Sequence, residues 1–296
     1  MAVEFMSSQK SRSVMAFSLK LLFIALFAIP NPFCGNKNII YKASTSKLCS
    51  QSISKNGFNK ELIITIGEDS IAGYALIANG DTPKETVILI QGYPGNDNNF
   101  DIAQEIRGSG KNAILFNHRG AWGSQGLYTY SNCLDDIQYV INYLSQKEMA
   151  ESLRININKF TLIGRSYGGG IALITGSQIP VVKKIIAISS VNYGPIMEKY
   201  NSVDELDGFK RYMRKQFMMK HNIDDFLQEL LDNKEEFNIL TYSEELKYKQ
   251  VLFIEDSNKN EDWIKQIEDS EYIVIESDHN FVNERKELVR VVLDWL

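Results

Sequence analysis

The stretch Phe160–Gly170 reads FTLIGRSYGGG and holds a serine between two glycines, as Gly164-Arg165-Ser166-Tyr167-Gly168. This G-x-S-x-G pattern carries chemistry when the serine sits on a sharp strand-to-helix turn, which lifts its hydroxyl clear of the backbone. The surroundings fit: FTLI is a β-type run ending at Gly164, and GGIALITGSQI is a helix-type run beginning just after Tyr167. Glycines at 164 and 168 leave room for so tight a bend, and the helix N-terminus favours negative charge developing beside the hydroxyl. A serine hydroxyl is a poor nucleophile until a base takes its proton.

The chain has three histidines, His118, His221 and His279. His118 precedes the middle of the strand pattern, and His221 lies in a segment without strands. His279 follows the last apolar run, EYIVIES, in the loop SDHNF. Serine first and histidine last is the chain order needed when both occupy the carboxyl edge of an open α/β sheet, so His279 is the expected base. An oxyanion formed at the attacked carbonyl needs two donors. The N–H of Tyr167, next to the serine, is one. The N–H of Tyr93 in QGYPGND is the other, with the Tyr93 hydroxyl as a further donor. The imidazole needs a carboxylate to orient it, and VLFIEDSNKNEDW offers Asp256, Glu261 and Asp262 beyond its apolar run. Asp256 leaves the strand end directly and is the expected choice. Asp278 adjoins His279, but neighbouring side chains rarely converge, so its role should be structural.

These residues need a scaffold that brings distant segments to one rim. ELIITIG and SIAGYALIANG, joined at Glu68 and Asp69, read as a hairpin. The runs TVILIQG, NAILFN, FTLIG, KIIAISS, VLFIE and YIVIE suit central strands covered on both faces. Helix-period segments separate them at 100–108, 133–153, 169–178, 263–269 and 284–296. Strand and helix alternate, which predicts a mostly parallel sheet with the hairpin at one edge and helices on both faces. Residues 193–250 break the rhythm with helical stretches around 204–220 and 224–237 and no strand, as a lid inserted on the carboxyl edge would. The lid contains KRYMRKQFMMK, Lys210 to Lys220, read as a helix with one solvated basic face.

With these motifs in place, the chain after about residue 60 resembles the α/β-hydrolase superfamily. GRSYGG is similar to the elbow of prolyl-oligopeptidase-like serine peptidases. QGYPGNDNNFDIAQ and NAILFNHRGAWGSQG resemble bacterial serine-aminopeptidase-like and esterase groups. The resemblance implies an α/β-hydrolase fold with a helical lid, and cleavage of an ester or peptide bond without a cofactor. It assigns Arg119 and Gly120 to shaping the floor of the site. It also exposes two departures. Gln91 stands where many relatives have histidine, and the family pattern, which places the orienting acid just past the seventh strand, puts Asn258, or Lys259 after a shift of one, at that position. Neither is a carboxylate, so a non-catalytic protein that binds a ligand or partner at the cell envelope is the competing expectation.

Composition narrows the partners. The 296 residues carry a formal net charge of -5, which argues against the basic footprint of a nucleic-acid binder. No His/Cys/carboxylate cluster shows metal-ligand spacing. A small-molecule ester or peptide substrate is the expected partner. Lys10, Arg12 and Lys20 precede the apolar run Leu21–Ile29, broken by Pro30 and Pro32, which reads as a signal peptide or membrane anchor over residues 1–33. A polar linker over 34–60 and the hydrolase domain over 61–296 follow. An exported chain could pair Cys34 with Cys49 and leave Cys133 free.

Overall fold

The computed structural model describes residues 55–95 and 99–296. The N-terminal apolar run and the Cys34–Cys49 pairing lie outside the described residues. Strands β1 (Phe58–Ile66) and β2 (Asp69–Ile77) form the hairpin, followed by β3 (Lys84–Ile90), helix α1 (Phe100–Gly108) and β4 (Asn112–Phe116). Helices α2 (Tyr130–Ser145) and α3 (Lys147–Ser152) lead to β5 (Ile155–Arg165), α4 (Tyr167–Gln178) and β6 (Val182–Ile188). The insertion contains α5 (Tyr193–Met197), α6 (Asp207–Met213), α7 (Ile223–Asp232) and α8 (Ser243–Leu246). The chain closes with β7 (Gln250–Glu255), α9 (Glu261–Ile264), β8 (Glu271–Val274) and α10 (Arg285–Trp295).

Among the described residues the eight strands make one sheet in the order β1-β2-β4-β3-β5-β6-β7-β8. The hairpin sits at one edge and pairs antiparallel with β4, and every pairing from β4 onward is parallel. The continuous apolar runs divide between two cores because strand side chains alternate. Ile88, Leu162, Ile185 and Phe253 pack on the side of α2 and α4. Leu89, Ile163, Ile186 and Leu252 pack on the side of α1 and α10. Both faces are therefore covered, as a parallel sheet requires.

Two helices depart from the sequence expectation. The segment read as one helix over 133–153 is two helices, broken where Gln146 takes an extended backbone at φ -60, ψ 137. It also starts earlier, at Tyr130, because the Thr129 hydroxyl accepts the Asn132 N–H at 3.0 Å and caps it. The segment read over 263–269 is only the short α9. The insertion is largely helical and is fastened to the loop after β4, but the basic run Lys210–Lys220 is not one helix with a solvated face: α6 ends at Met213, and Lys210 is buried against Asp204 and Asp224. Lys220 N–H donates to the Gly120 carbonyl at 2.6 Å, Tyr128 N–H to the Lys220 carbonyl at 2.8 Å, and Trp122 N–H to the Met218 carbonyl at 3.2 Å. Arg119 is anchored to Asp136 through Nε at 2.5 Å and its own N–H at 2.9 Å. The Arg119-Gly120 segment thus has a structural part to play, clasping the lid.

Candidate active site

Ser166 ends the turn between β5 and α4 with φ 54 and ψ -120. Such a conformation costs an ordinary residue about 1–3 kcal/mol and persists only where the surroundings enforce it. Three backbone bonds enforce it here: Ser166 N–H to Ile188 O at 2.7 Å, Gly169 N–H to Ser166 O at 3.0 Å, and Val191 N–H to Ser166 O at 3.1 Å. The flanking glycines are needed for clearance. A side-chain carbon at Gly164 would collide with the carbonyl of Gly168, and one at Gly168 with the carbonyls of Ile90 and Gln91.

The histidine arrives from the far end of the chain. His279 Nε2 lies 2.9 Å from Ser166 Oγ, and His279 Nδ1 lies 3.0 Å from Asp256 Oδ2. With the proton on Nδ1, held by the carboxylate, Nε2 is left as the acceptor for the serine hydroxyl. The loop bearing His279 is fixed by its neighbours. Arg165 donates to the His279 carbonyl at 2.9 Å and also bonds Asn280 Oδ1. Asp278 accepts the N–H groups of Asn280 at 2.8 Å and Val282 at 3.2 Å, a loop-capping duty rather than a site role. Phe281 is fully buried and anchors the loop in the sheet's second core.

Among the carboxylates of this segment, Asp256 is the one that reaches the imidazole, while the family-spaced position is held by Asn258. Glu261 instead pairs with Lys265 at 2.6 Å, Asp262 is exposed, and Asn258 accepts the Tyr272 hydroxyl at 3.3 Å. Asp256 is held by more than the imidazole: Ser189 Oγ donates to Oδ2 at 3.1 Å, Ser257 Oγ to Oδ1 at 3.0 Å, and Lys259 Nζ reaches both oxygens at 2.7 Å. Burial pushes Asp256 upward, but the bonds from Lys259, His279 and Ser257 outweigh it and hold the carboxyl below its usual range. The preceding residue behaves oppositely. Glu255 is buried, bonded to Ser190 N at 3.0 Å and Asn260 Nδ2 at 2.8 Å, and burial pushes it up to about 7.

Tyr93 follows β3, and Tyr167 is the first residue of α4. Neither backbone N–H donates to another protein group among the described residues, so both are free to bind an oxyanion beside Ser166. Burial, with Tyr212 and Tyr193, pushes the Tyr93 hydroxyl far above its usual value, so it stays protonated. That hydroxyl lies 3.5 Å from Nε2 of the lid residue His221, however. His118 is away from the site, buried against Asp136 with Nδ1 3.1 Å from its Oδ2.

Two cavities meet at the serine. An open cleft of about 390 Å³ is lined by Gly92, Pro94, Gly95, Arg165, Gln216 and Asn280 beside Ser166 and His279. A second, of about 190 Å³, runs under the lid between Tyr93, Tyr167, Tyr193, Phe209, Tyr212, Met213, Phe226 and Leu230. The aromatic wall is continuous: the Tyr93 ring stands 5.6 Å from Tyr128, 5.8 Å from Tyr212 and 6.4 Å from Phe226. Sequence reasoning missed Lys259, Ser189 and Ser257 around the acid, and the lid residues Tyr212 and Gln216 at the mouth. The basic run gave a hint of the lid pair, since both fall inside it. The family spacing landed on Lys259 without showing that it holds the acid, and nothing pointed to Ser189 or Ser257.

A sequence model described as the alpha/beta hydrolase fold matches residues 85–277. The chain belongs to this family. The alpha/beta hydrolases of known structure repeat its architecture. An esterase of Pyrococcus furiosus superposes with a TM-score of 0.60 at 17% identity, over 81% of this chain and 90% of that one. The esterase Est1E of Butyrivibrio proteoclasticus, solved with ferulic acid bound, gives 0.62 at 13% identity over 79% and 97%. The mouse alpha/beta hydrolase domain-containing protein 10 gives 0.58 at 17% over 80% and 98%. At these identities the likeness is one of fold. No curated relative is similar enough in sequence to be matched. The superfamily expected from the motifs is thus established, while the prolyl-oligopeptidase-like subtype suggested by the elbow finds no counterpart among these relatives.

Proposed function

We propose that this alpha/beta hydrolase is a serine hydrolase that cleaves carboxylic esters of small molecules through an acyl-enzyme on Ser166. The observation that carries the reading is the unbroken relay from Ser166 Oγ to His279 at 2.9 Å and from His279 to Asp256 at 3.0 Å. Ser166 Oγ attacks the ester carbonyl as His279 Nε2 takes its proton, and the oxyanion is received by the N–H groups of Tyr93 and Tyr167. The imidazolium returns the proton to the leaving alcohol, and water, activated by the same imidazole, then releases the acid. The absence of a carboxylate at the family-spaced position motivated a non-catalytic reading. Asp256 within hydrogen-bonding distance of Nδ1 weighs against it.

The two cavities divide a substrate between them. A cavity of about 190 Å³ with aromatic walls suits one ring or a short chain, and the open polar cleft of about 390 Å³ suits the remainder. The test is hydrolysis of p-nitrophenyl butyrate beside a peptide p-nitroanilide. The ester should turn over, and Ser166→Ala and His279→Ala should each lower kcat/KM by about 10³-fold or more. An anilide cleaved faster than the ester would redirect the assignment to a peptidase. Ester turnover untouched by Ser166→Ala would end it.

A further inference from the structure

The lysine found on the acid is not an idle surface charge. Lys259 lies in the 3₁₀ turn Asn258–Asn260 directly after β7, and both neighbours pin that turn. Asn260 donates to the Ser190 carbonyl at 2.9 Å and to Glu255 at 2.8 Å, while Asn258 accepts the Tyr272 hydroxyl at 3.3 Å. The turn thus aims the ammonium at both oxygens of Asp256, each at 2.7 Å. A pair whose lysine is 47% exposed adds little to stability, so the contact matters through what Asp256 does.

In a serine–histidine–carboxylate relay the acid orients the imidazole and stabilises the imidazolium that forms during reaction. A cation resting on both carboxylate oxygens opposes the second duty and reinforces the first. Resting on the hydrolase reading above, we infer that Lys259 is a positioning residue of the reaction: it fixes Asp256 in line with His279 while cancelling part of the charge that the carboxylate presents to the imidazolium. The sign follows directly. Removing the ammonium strengthens the pull of Asp256 on the imidazolium, so the acid limb of the rate profile moves up.

Other charges face this group and stay in place. Glu255 precedes Asp256 on β7, the Arg165 guanidinium at the end of β5 holds the His279 carbonyl, and Asp278 caps the histidine loop. Of these Glu255 is displaced most, because burial pushes it up to about 7. It therefore requires its own control.

The test follows the rate at which a fluorophosphonate labels Ser166 from about pH 4.5 to 9 at low ionic strength, so that no natural substrate is needed. Lys259→Met should move the acid limb up by about half to one pH unit, a displacement that 1 M salt should shrink. Lys259→Arg, which keeps the charge, should retain the wild-type limb. Both variants should melt with the wild type. A limb unmoved in Lys259→Met, or moved equally in Lys259→Arg, overturns the role for Lys259 while leaving the nucleophile standing. A displacement that disappears in a Glu255→Gln background belongs to Glu255 and also overturns it. A wild-type chain that takes no label at Ser166 overturns this role together with the hydrolase reading.

Discussion

A carboxylate hydrogen-bonded to a histidine works by geometry and charge together, and Asp256→Asn separates the two. The amide can keep contacts with Ser189 and Ser257 but offers an N–H where the imidazole N–H needs an acceptor. The expected outcome is a kcat lower by about 10³–10⁴-fold with KM little changed, measured by steady-state ester hydrolysis. Gly168→Ala probes the elbow: its methyl would meet the carbonyls of Ile90 and Gln91, which lead into the Tyr93 loop. That variant should lose activity and lower the thermal midpoint together. At this scale Ser166 and His279 could be read from sequence, because a spacing motif and a chain order both report on topology. Asp256 could not be fixed so firmly, because the loop after β7 offers three carboxylates and the family spacing lands on Asn258. Lys259 was noticed only as a misfit at the acid position, since an i,i+3 lysine is a common surface feature until coordinates show that it holds Asp256.

The lid and the sheet meet through aromatic rings. Phe226 on α7 is buried and stacks at 6.0 Å on Tyr128 and 6.5 Å on Tyr167, whose own backbone follows the nucleophile. Truncating it in Phe226→Ala should cost about 3 kcal/mol in a denaturant titration. The widened cavity should also raise relative activity on longer acyl chains, checked with a p-nitrophenyl ester series. The strands were legible because buried β-branched and aliphatic runs have few alternative fates in an alternating α/β pattern. Helix ends were less so. The break at Gln146 follows no proline or glycine, and α2 begins at Tyr130 because of a Thr129 cap that lies outside the apolar periodicity. Within the insertion, apolar spacing marked helices but could not say that backbone bonds to Gly120 and Trp122 would clasp them over the site.

Across the whole molecule, two opposed sets of carboxyls shape stability against pH. Asp101, held down chiefly by its bonds to Arg285, and Asp256 both lie below their usual range. Each contributes stability that is present above the unfolded value and is lost as pH falls through the folded one. Glu255 is displaced the other way, from 4.5 to about 7, so its contribution is complete below the unfolded value and is lost as pH rises through about 7. A displacement of that size corresponds to about 3 kcal/mol. The thermal midpoint should therefore peak in the mildly acidic range and decline toward pH 8. Glu255→Gln should flatten the decline on the alkaline side, which melting curves across pH would record. The Arg285–Asp101 bridge, at 2.6 and 2.7 Å, joins α10 to α1, so the acidic loss falls on contacts that close the sheet's second face.

The most direct test is mass spectrometry of the chain after treatment with a fluorophosphonate, followed by peptide mapping of the adduct. The account predicts one covalent adduct on Ser166, lost in Ser166→Ala and strongly slowed in His279→Ala. A wild-type chain that stays unmodified, or one labelled elsewhere with Ser166 untouched, would contradict it.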